Sequence, residues 1–299
     1  MASIDEDTGH TVLFGLPRNM QDFPFPKGSV MAEQFPDGYD CEDCYLNALS
    51  TFAMDNQELF PGVENPGVEA TIQGVEGITG LDVNYYAMVN MKGFKDLVDA
   101  VGGVTLNVRD RIPIGGVGAP ITGYIEPGVR KLDGFQTLWF ARSRSGADDY
   151  SRMARQKCVM NAMLDQLSPQ VVVTKFGAIA EAGKKVISTD LPSSEVDRFV
   201  ALAMKAKSQP LSTVSFVPPL VNTADPDITA LQDRVQQAIA KSEARAEGPT
   251  VQAGEKPAKA KKKVRRPAGS AQAPTTGGSI GSMAEGYVAN DAEDLSSAC

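Results

Sequence analysis

The stretch from residue 94 to residue 108 constrains the fold most, because its apolar residues change from a helical to a strand period across two glycines. Four of them follow the spacing i, i+3, i+4, i+7, which is one face of an α-helix: Phe94, Leu97, Val98 and Val101. Gly102 and Gly103 then supply a helix end. Apolar residues at every second position of 104–108 indicate a strand. The stretch therefore predicts a helix that leads directly into a strand.

The same alternation of patterns continues along the chain. Residues 3–16 predict two strands joined by a turn, and Asn65-Pro66 is a typical helix start ahead of apolar residues on one helical face: Val68, Ile72 and Val75. We interpret the apolar run 138–141 as the end of a strand. The remaining segments predict strands at 83–91 and 212–217 and helices at 170–185 and 193–207. Strands that alternate with helices indicate an α/β domain with helices on both faces of the sheet.

The composition changes beyond residue 240, where Lys, Pro, Ala, Gly and Ser dominate and hydrophobic periodicity ends. We predict one domain over residues 1–240 and a disordered tail over residues 241–299. The tail holds a basic run at 256–266, which we interpret as a solvated linker rather than a nuclear signal. Because the net charge is −8, the chain is not a general nucleic-acid binder, and any anionic ligand must be held by a local positive cluster.

Such a cluster falls at residues 139–156, which we call the arginine stretch. Within fourteen positions this stretch has four arginines: Arg142, Arg144, Arg152 and Arg155. Its second half predicts a helix on which Arg152, Arg155 and Gln156 share an arc of about 100°, with Asp149 near the helix start. Guanidinium groups match phosphate oxygens in pairs, and a helix N-terminus adds partial positive charge. The stretch predicts a phosphate or pyrophosphate site, and the alternative is a surface helix with ordinary salt bridges.

Four motifs, in the same order along the chain, resemble those of the LytR-CpsA-Psr (LCP) family. In the arginine stretch, an R-x-R pair is followed by Asp after five residues, Arg after three more and Gln after four more. Residues 94–104, FKDLVDAVGGV, are similar to the family segment F-x-x-L-V-D-x-L-G-G-V. Leu16-Pro17-Arg18 resembles the family's I-P-R-D strand end, and Leu46-Asn47-Ala48 its I-N-x-A element. The resemblance is strongest over residues 8–168.

The resemblance implies a phosphotransferase of cell wall biogenesis. Members of the family transfer a glycopolymer from a polyprenyl-pyrophosphate carrier to a muramic acid hydroxyl of peptidoglycan, usually with Mg²⁺. The fold that it implies is a mixed central β-sheet between helices, with an apolar tunnel for the lipid. The implied partners are therefore the lipid-linked glycopolymer, peptidoglycan and the membrane surface, and no nucleic acid.

Residue roles follow from the positions that match the family motifs. The catalytic residues are expected to be Arg144, Asp149 and Arg152. The substrate-binding residues are expected to be Arg18, Asn47, Arg142, Arg155 and Gln156. Asp149 either accepts the proton of the acceptor hydroxyl or orients an arginine, and both roles stay open. No Mg²⁺ ligand is identified, because Asn19 stands where the family more often has the aspartate of P-R-D.

The family works at the cell envelope, on the extracytoplasmic face of the plasma membrane. Its members usually carry an N-terminal membrane helix and a first part of the domain with metal-binding aspartates. Here the first residues are acidic, and no run of 18 apolar residues occurs. We therefore expect this chain to begin inside the family domain, as an N-terminally incomplete catalytic domain.

Cys41 and Cys44 form a C-x-x-C motif inside a loop-like region. We predict a local disulfide between them, which fits an oxidising exterior compartment. A zinc site is disfavoured, because the remaining candidate ligands have no recognisable spacing: His10, Cys158 and Cys299. A pair of reduced surface cysteines is the alternative.

The polymer and the reaction leave further alternatives. Residues 110–116 and 150–156 are similar to mycobacterial and corynebacterial members, which implies an actinobacterial protein that joins arabinogalactan to peptidoglycan. The same phosphate site would serve a polyprenyl-pyrophosphate pyrophosphatase, with water as the acceptor. An inactive lipid- or glycan-binding remnant is the non-enzymatic alternative. The family's older label, cell envelope-related transcriptional attenuator, is disfavoured because no helix-turn-helix pattern occurs.

Overall fold

The computed structural model describes residues 1–116, 118, 120–144, 149–166, 187–246 and 294–295. Helices α1–α8 of the described residues are Val30–Gln34, Leu49–Asp55, Pro66–Thr79, Met91–Val101, Gly134–Arg142, Asp149–Gln166, Val196–Lys207 and Ile228–Ala246. Strands β1–β9 are Ala2–Ile4, Thr11–Gly15, Ala87–Val89, Val104–Val108, Ile112–Ile114, Gly123–Ile125, Gly128–Leu132, Ile187–Thr189 and Leu211–Ser215. Short 3₁₀ helices are Leu46–Ala48, Gln57–Leu59 and Ser193–Glu195. This order of elements confirms the predicted α/β class.

The strands of the described residues pair in four small sheets. In the three-stranded sheet, β2 pairs with β1 in antiparallel and with β9 in parallel, so this sheet is mixed. The other sheets are antiparallel pairs of β3 with β8, β4 with β7, and β5 with β6. The two strands and turn predicted for residues 3–16 are confirmed by β1 and β2. Because β2 and β9 run in parallel, their carboxyl ends meet at one edge, where Gly15 pairs with Ser215.

Helices cover both faces of the three-stranded sheet. On one face, Val12 and Phe14 of β2 are each 2% exposed and belong to a core that includes Leu231 and Val235 of α8. On the other face lies α6, since a Cβ built on Gly15 would stand 3.6 Å from Met153 Cε. Burial of these apolar side chains is the main source of the packing energy. The predicted arrangement of helices on both faces is confirmed.

The helix-to-strand unit predicted over residues 94–108 is also confirmed, as α4 and β4. The side chain of Asn90 accepts a hydrogen bond from Gly93 N at 2.9 Å and caps α4. Gly102, at φ +92°, ends the helix in the left-handed region. The three apolar residues of β4 are 1–3% exposed and anchor a second core: Val104, Leu106 and Val108.

Two elements differ from the sequence prediction. The apolar run 138–141 lies in helix α5 and not in a strand, because Asp133 and Gln136 form a capping box that starts the helix. In α3 the cap at Asn65 is as predicted, but the predicted valines and isoleucine are only half-buried. The buried positions include Gln73 and Ile78 besides small residues such as Gly77. A Cβ on Gly77 would lie 1.9 Å from the Pro24 carbonyl oxygen, so only glycine allows this close approach.

One helix crosses the predicted end of the domain. The predicted boundary at residue 240 falls inside α8, which continues to Ala246. Near the C-terminus, Asp294 forms a β-bridge with Ser212, and Leu295 is 1% exposed. The rest of the tail predicted as disordered, and the helix predicted at 170–185, lie outside the described residues. Among the described residues, none of the helices combines the length and the apolar character that crossing a bilayer requires.

Candidate functional site

The candidate site begins at the carboxyl edge of the three-stranded sheet. β2 ends at Gly15, and the chain continues through Pro17 to Arg18, whose side chain is 48% exposed. Ligands of α/β proteins commonly bind beyond the carboxyl ends of parallel strands. Arg18 is therefore placed where the fold most often holds a ligand.

Three arginines converge on one carboxylate at this edge. Asp149, the first residue of α6, accepts a hydrogen bond from Arg18 Nε at 3.0 Å through Oδ2. Its Oδ1 accepts one from Arg144 Nε at 2.7 Å and a second, shorter one from the same guanidinium. Arg152 Nη1 lies 3.3 Å from Oδ1, one helical turn along α6. We call these four residues the arginine cluster.

The charges of the cluster set the protonation of Asp149. Burial on its own would raise the pKa of Asp149, but hydrogen bonds from Arg18 and Arg144, with the charge of Arg152, bring the pKa below its ordinary value of 3.8. Burial lowers the pKa of Arg152, and the neighbouring arginines add to this effect while Asp149 opposes it. Arginine nevertheless stays protonated in proteins. Three positive groups thus surround one negative group.

The cluster is open to a ligand from solution. The side chains of Arg18 and Arg144 are 48% and 39% exposed, whereas those of Arg152 and Asp149 are 16% exposed. Each guanidinium has five N–H donors, and the contacts with Asp149 use only some of those of Arg18 and Arg144. A doubly charged anion can therefore bind at the exposed side while Asp149 holds the arginines from within.

The other residues predicted to bind substrate take different positions. Arg142 is exposed, and its guanidinium lies 4.9 Å from the Trp139 ring centroid and 3.4 Å from Met91 Sδ. Gln156 is exposed and donates to the Ala141 carbonyl at 3.3 Å. Asn47 is exposed beside Arg18, because its backbone N–H donates to the Arg18 carbonyl at 3.0 Å.

Arg155 requires a correction. It was predicted to share a surface with Arg152 and Gln156, but it is 0% exposed. Its Nε donates to the Phe140 carbonyl at 2.7 Å, and its Nη2 donates to the Ser143 carbonyl. Arg155 therefore satisfies carbonyl groups at the end of α5 and joins α5 to α6. This placement does not bring its guanidinium to a ligand in solution.

The C-x-x-C motif lies close to Arg18 in the folded protein. Cys41 and Cys44 are joined by a disulfide, with their Cα atoms 5.0 Å apart. The structure therefore contains the predicted disulfide and not the alternative pair of reduced thiols. The disulfide directly precedes Leu46 and Asn47, whose backbone N–H groups bond to the segment that carries Arg18.

The described residues of the site do not fit the Mg²⁺ ion that the resemblance implies. Mg²⁺ takes oxygen ligands in near-octahedral geometry. Asp149 is the carboxylate of the cluster, and three guanidinium groups already occupy its oxygens. Across the described part of the chain, no group of three His, Cys, Asp or Glu side chains could hold a metal. We therefore assign no step to a metal ion.

An exposed apolar surface extends from Arg142. Met91, 58% exposed, contacts Arg142, and it follows β3, where Met88 and Val89 are 48% and 43% exposed. The Tyr85 and Phe199 rings, 5.0 Å apart, join the segment before β3 to α7. On α7 exposed apolar residues recur at every fourth position: Val196, Val200 and Met204. The sequence prediction did not single out this surface, although the four-residue spacing on α7 was a readable signal.

The sequence is similar to a known family and to curated proteins. A model of the LytR_cpsA_psr family matches residues 40–244, a range that includes the arginine stretch but not Arg18. The curated protein TagU of Bacillus mycoides, named a polyisoprenyl-teichoic acid–peptidoglycan teichoic acid transferase, is 33% identical over 132 residues, 44% of this chain and 41% of that protein. Biofilm regulatory protein A of Streptococcus mutans is 30% identical over 148 residues, 48% of this chain and 36% of that protein. The chain thus spans less than half the length of either relative.

Solved structures agree on the fold. The crystal structure of B. subtilis TagV superposes with a TM-score of 0.57 at 20% identity, over 81% of this chain and 86% of that one. A protein of Streptococcus agalactiae gives a TM-score of 0.58 at 21% identity, over 79% of this chain and 77% of that one. At such identities the likeness concerns the fold alone.

Proposed function

Because the chain belongs to the LytR-CpsA-Psr family, we propose that it attaches a cell-wall glycopolymer to peptidoglycan. The observation that carries the proposal is the arginine cluster, in which Arg18 and Arg144 meet Asp149 and Arg152 at an exposed sheet edge. TagU of Bacillus mycoides is named for the transfer of a teichoic acid to peptidoglycan. A cluster of this charge suits the same class of reaction.

The donor in this proposal is a polyprenyl pyrophosphate that carries the glycopolymer. A hydroxyl of peptidoglycan attacks the phosphorus that bears the polymer, a phosphodiester forms, and the bond to polyprenyl phosphate breaks. The leaving polyprenyl phosphate takes up the proton of the hydroxyl. Negative charge grows on the leaving phosphate as the bond breaks, and preorganised positive groups stabilise that charge. Arg144 and Arg152 are the proposed catalytic pair, with Arg18 as a further phosphate ligand.

Asp149 is proposed to orient the arginines rather than to accept the hydroxyl proton. The arginines lower its pKa, which makes the carboxylate a weak base near neutral pH. Its contacts with Arg18, Arg144 and Arg152 supply the orienting role directly. Side chains held in this way lose less freedom when they bind the transition state.

The lipid part of the donor has a matching surface. The exposed apolar residues of β3, α7 and Met91 begin where Arg142 lies. A polyprenyl chain is apolar, so a pyrophosphate at the arginine cluster would leave its tail free to cover this surface. This neighbourhood supports a polyprenyl carrier, and Arg142 is then the residue between the phosphates and the tail.

The identity of the polymer and the cellular location are also part of the proposal. The resemblance to mycobacterial and corynebacterial proteins suggests arabinogalactan, and the name of TagU makes teichoic acid the alternative to test. A protein with these partners works at the cell envelope, on the outer face of the plasma membrane. The disulfide between Cys41 and Cys44 is in keeping with that oxidising side.

The test measures binding of geranylgeranyl pyrophosphate, a soluble polyprenyl pyrophosphate, to the wild type and to Arg144→Ala, Arg152→Ala and Arg152→Lys. We expect both alanine variants to lose binding and to lower transfer by about 30- to 1,000-fold, roughly 2–4 kcal/mol of transition-state stabilisation. Arg152→Lys should restore little, because lysine lacks the planar fork that contacts two oxygens.

Arg198→Ala is the matched control, since Arg198 also pairs with a carboxylate, that of Glu6, but lies outside the cluster. It should bind like the wild type. If Arg144→Ala and Arg152→Ala bind the lipid pyrophosphate as tightly as Arg198→Ala does, the site is elsewhere. Release of inorganic phosphate from geranylgeranyl pyrophosphate into water would identify a pyrophosphatase. Binding without either product would identify a lipid-binding protein.

A further inference from the structure

We infer that the Cys41–Cys44 disulfide positions Arg18, so that its reduction weakens pyrophosphate binding at the arginine cluster. This inference rests on the proposed function and adds a control of the same site by thiol chemistry. The disulfide loop, residues 39–47, is hydrogen-bonded to residues 18–23.

The disulfide loop is attached to the Arg18 segment on both sides of the bridge. Before it, Asp22 N–H donates to the Tyr39 carbonyl at 3.1 Å, and Tyr39 N–H donates to the Phe23 carbonyl at 2.8 Å. After it, Leu46 N–H donates to the Met20 carbonyl at 2.8 Å, and Asn47 N–H donates to the Arg18 carbonyl at 3.0 Å. The loop and the Arg18 segment therefore run side by side, and the last bond is to Arg18 itself.

The bridge joins the two sides of the loop, which we call its arms, and closes a tip of four residues, 41–44. Between the arms, Glu42 and Asp43 are exposed, and Asp43 has the unfavourable φ of +67°. A short covalent loop removes open conformations that the reduced tip would otherwise adopt. The bridge therefore favours the closed tip that presents Leu46 and Asn47 to the Arg18 segment.

Arg18 depends on this support more than its neighbours do. Its side chain is the most exposed of the cluster, at 48%, and it contacts Asp149 through Nε at 3.0 Å. Arg144 and Arg152 contact the same carboxylate, but they are only five and three residues from Asp149 in the sequence. The position of Arg18 relative to Asp149 is instead set by long-range contacts of its backbone. A looser backbone would place its guanidinium less often against a phosphate.

The bridge is placed for thiol–disulfide exchange. Cys41 is exposed and Cys44 is 3% exposed, so a thiolate from solution attacks Cys41 Sγ. The S–S bond breaks and the Cys44 sulfur leaves as a thiolate that takes up a proton. The second thiol of the reductant then attacks the mixed disulfide and releases Cys41. The protein gains two electrons and two protons, and the reductant, a dithiol, becomes a disulfide.

The experiment compares binding of geranylgeranyl pyrophosphate to the oxidised wild type, the Cys41→Ser/Cys44→Ser variant, Arg18→Ala and the triple variant. We expect the serine variant to bind about three- to tenfold more weakly, and Arg18→Ala to lose at least as much. In the triple variant the two losses should not add, because the disulfide acts through Arg18. Losses that add would overturn the inference.

A second measurement separates this inference from the proposed function. Hydrogen exchange of the Leu46 and Asn47 amides should become faster when the bridge is absent, with no ligand present. Unchanged exchange would overturn the inference whatever the protein binds. Absence of binding by the oxidised wild type, together with faster exchange, would reject the proposed function and leave the positioning intact. Cys158 is also disulfide-bonded. Adding reductant to the Cys41→Ser/Cys44→Ser variant therefore measures how much reduction at Cys158 changes lipid pyrophosphate binding.

Discussion

At the scale of single residues, Asp149 determines what the arginines can do. One carboxylate contacts Arg18, Arg144 and Arg152, so it cancels one positive charge and fixes three guanidinium groups. Isolated surface pairs contribute little, but several charges that share one partner restrict one another's motion. The site is therefore preorganised before a ligand arrives, which is what stabilisation of a developing phosphate charge requires.

The Asp149→Asn variant tests this role through pH. The pKa of Asp149 is lowered in the folded protein, so the unfolded chain takes up a proton first as the pH falls. The stability that Asp149 contributes is thus fully present above its ordinary pKa of 3.8 and is lost as the pH falls through the lower folded value. The difference in unfolding free energy between wild type and Asp149→Asn should be constant above about pH 5 and shrink below about pH 4.

Transfer activity provides the complementary measurement. An orienting Asp149 should leave a measurable fraction of activity in Asp149→Asn, with no new ionisation between pH 5 and 8. A stability difference that grows towards low pH would contradict the lowered pKa. Complete loss of transfer with unchanged lipid pyrophosphate binding would instead assign the proton-accepting role to Asp149.

At the scale of elements, the junction of α5 and α6 depends on Arg155. α5 ends at Arg142, and the last carbonyl groups of a helix lack partners within it. The buried Arg155 guanidinium supplies hydrogen bonds to the carbonyls of Phe140 and Ser143. The segment between them and α6 carries Arg144, so this junction also limits where Arg144 can lie.

Arg155→Met should therefore destabilise the protein rather than affect binding alone. Two buried carbonyls would lose charge-assisted donors, at a cost of about 1–3 kcal/mol each. Urea unfolding at neutral pH measures the change. Arg142→Met is the matched control, because Arg142 is exposed, and it should cost less than about 1 kcal/mol. Equal stability of the two variants would contradict the structural role of Arg155.

These elements show where the sequence was sufficient and where it was not. α4 and β4 were predictable, because each has a clear period and Gly102 marks the end of the helix between them. α5 was not, since four apolar residues fit a helix or a strand equally, and only the capping box at Asp133 and Gln136 distinguishes them. Arg155 was misplaced because helical spacing gives the relative directions of side chains and not which direction faces the core.

At the scale of the whole molecule, the site is made by chain segments that sequence periodicity does not connect. Arg18 and Asp149 are 131 residues apart. They meet because β2 and β9 run in parallel and α6 lies on the face next to Gly15. The family motifs predicted that both residues belong to one site, but the shared carboxylate is a property of the tertiary structure. The exposed apolar surface beside Arg142 likewise forms only when β3 and α7 are in place, although the spacing on α7 was readable in the sequence.

The end of the chain also belongs to this assembly. Asp294 pairs with Ser212 on β9, the strand that lies parallel to β2, and Leu295 is 1% exposed. A leucine this deeply buried packs like a residue of the core, although composition alone suggested that nothing beyond residue 240 does so. The sequence could not predict this contact, because a single apolar residue in a polar region has no period.

Leu295→Ala tests whether the C-terminal end stabilises the domain. Removing a fully buried leucine side chain costs about 2–5 kcal/mol, from lost burial and from the cavity that remains. We expect a loss in this range in urea unfolding, with an unchanged dependence on urea concentration, because the surface exposed on unfolding stays nearly the same. Leu220→Ala is the matched control, since Leu220 is 42% exposed, and it should cost less than about 1 kcal/mol. If Leu295→Ala is no more destabilising than Leu220→Ala, the C-terminal end contributes nothing to the stability of the sheet that carries Arg18.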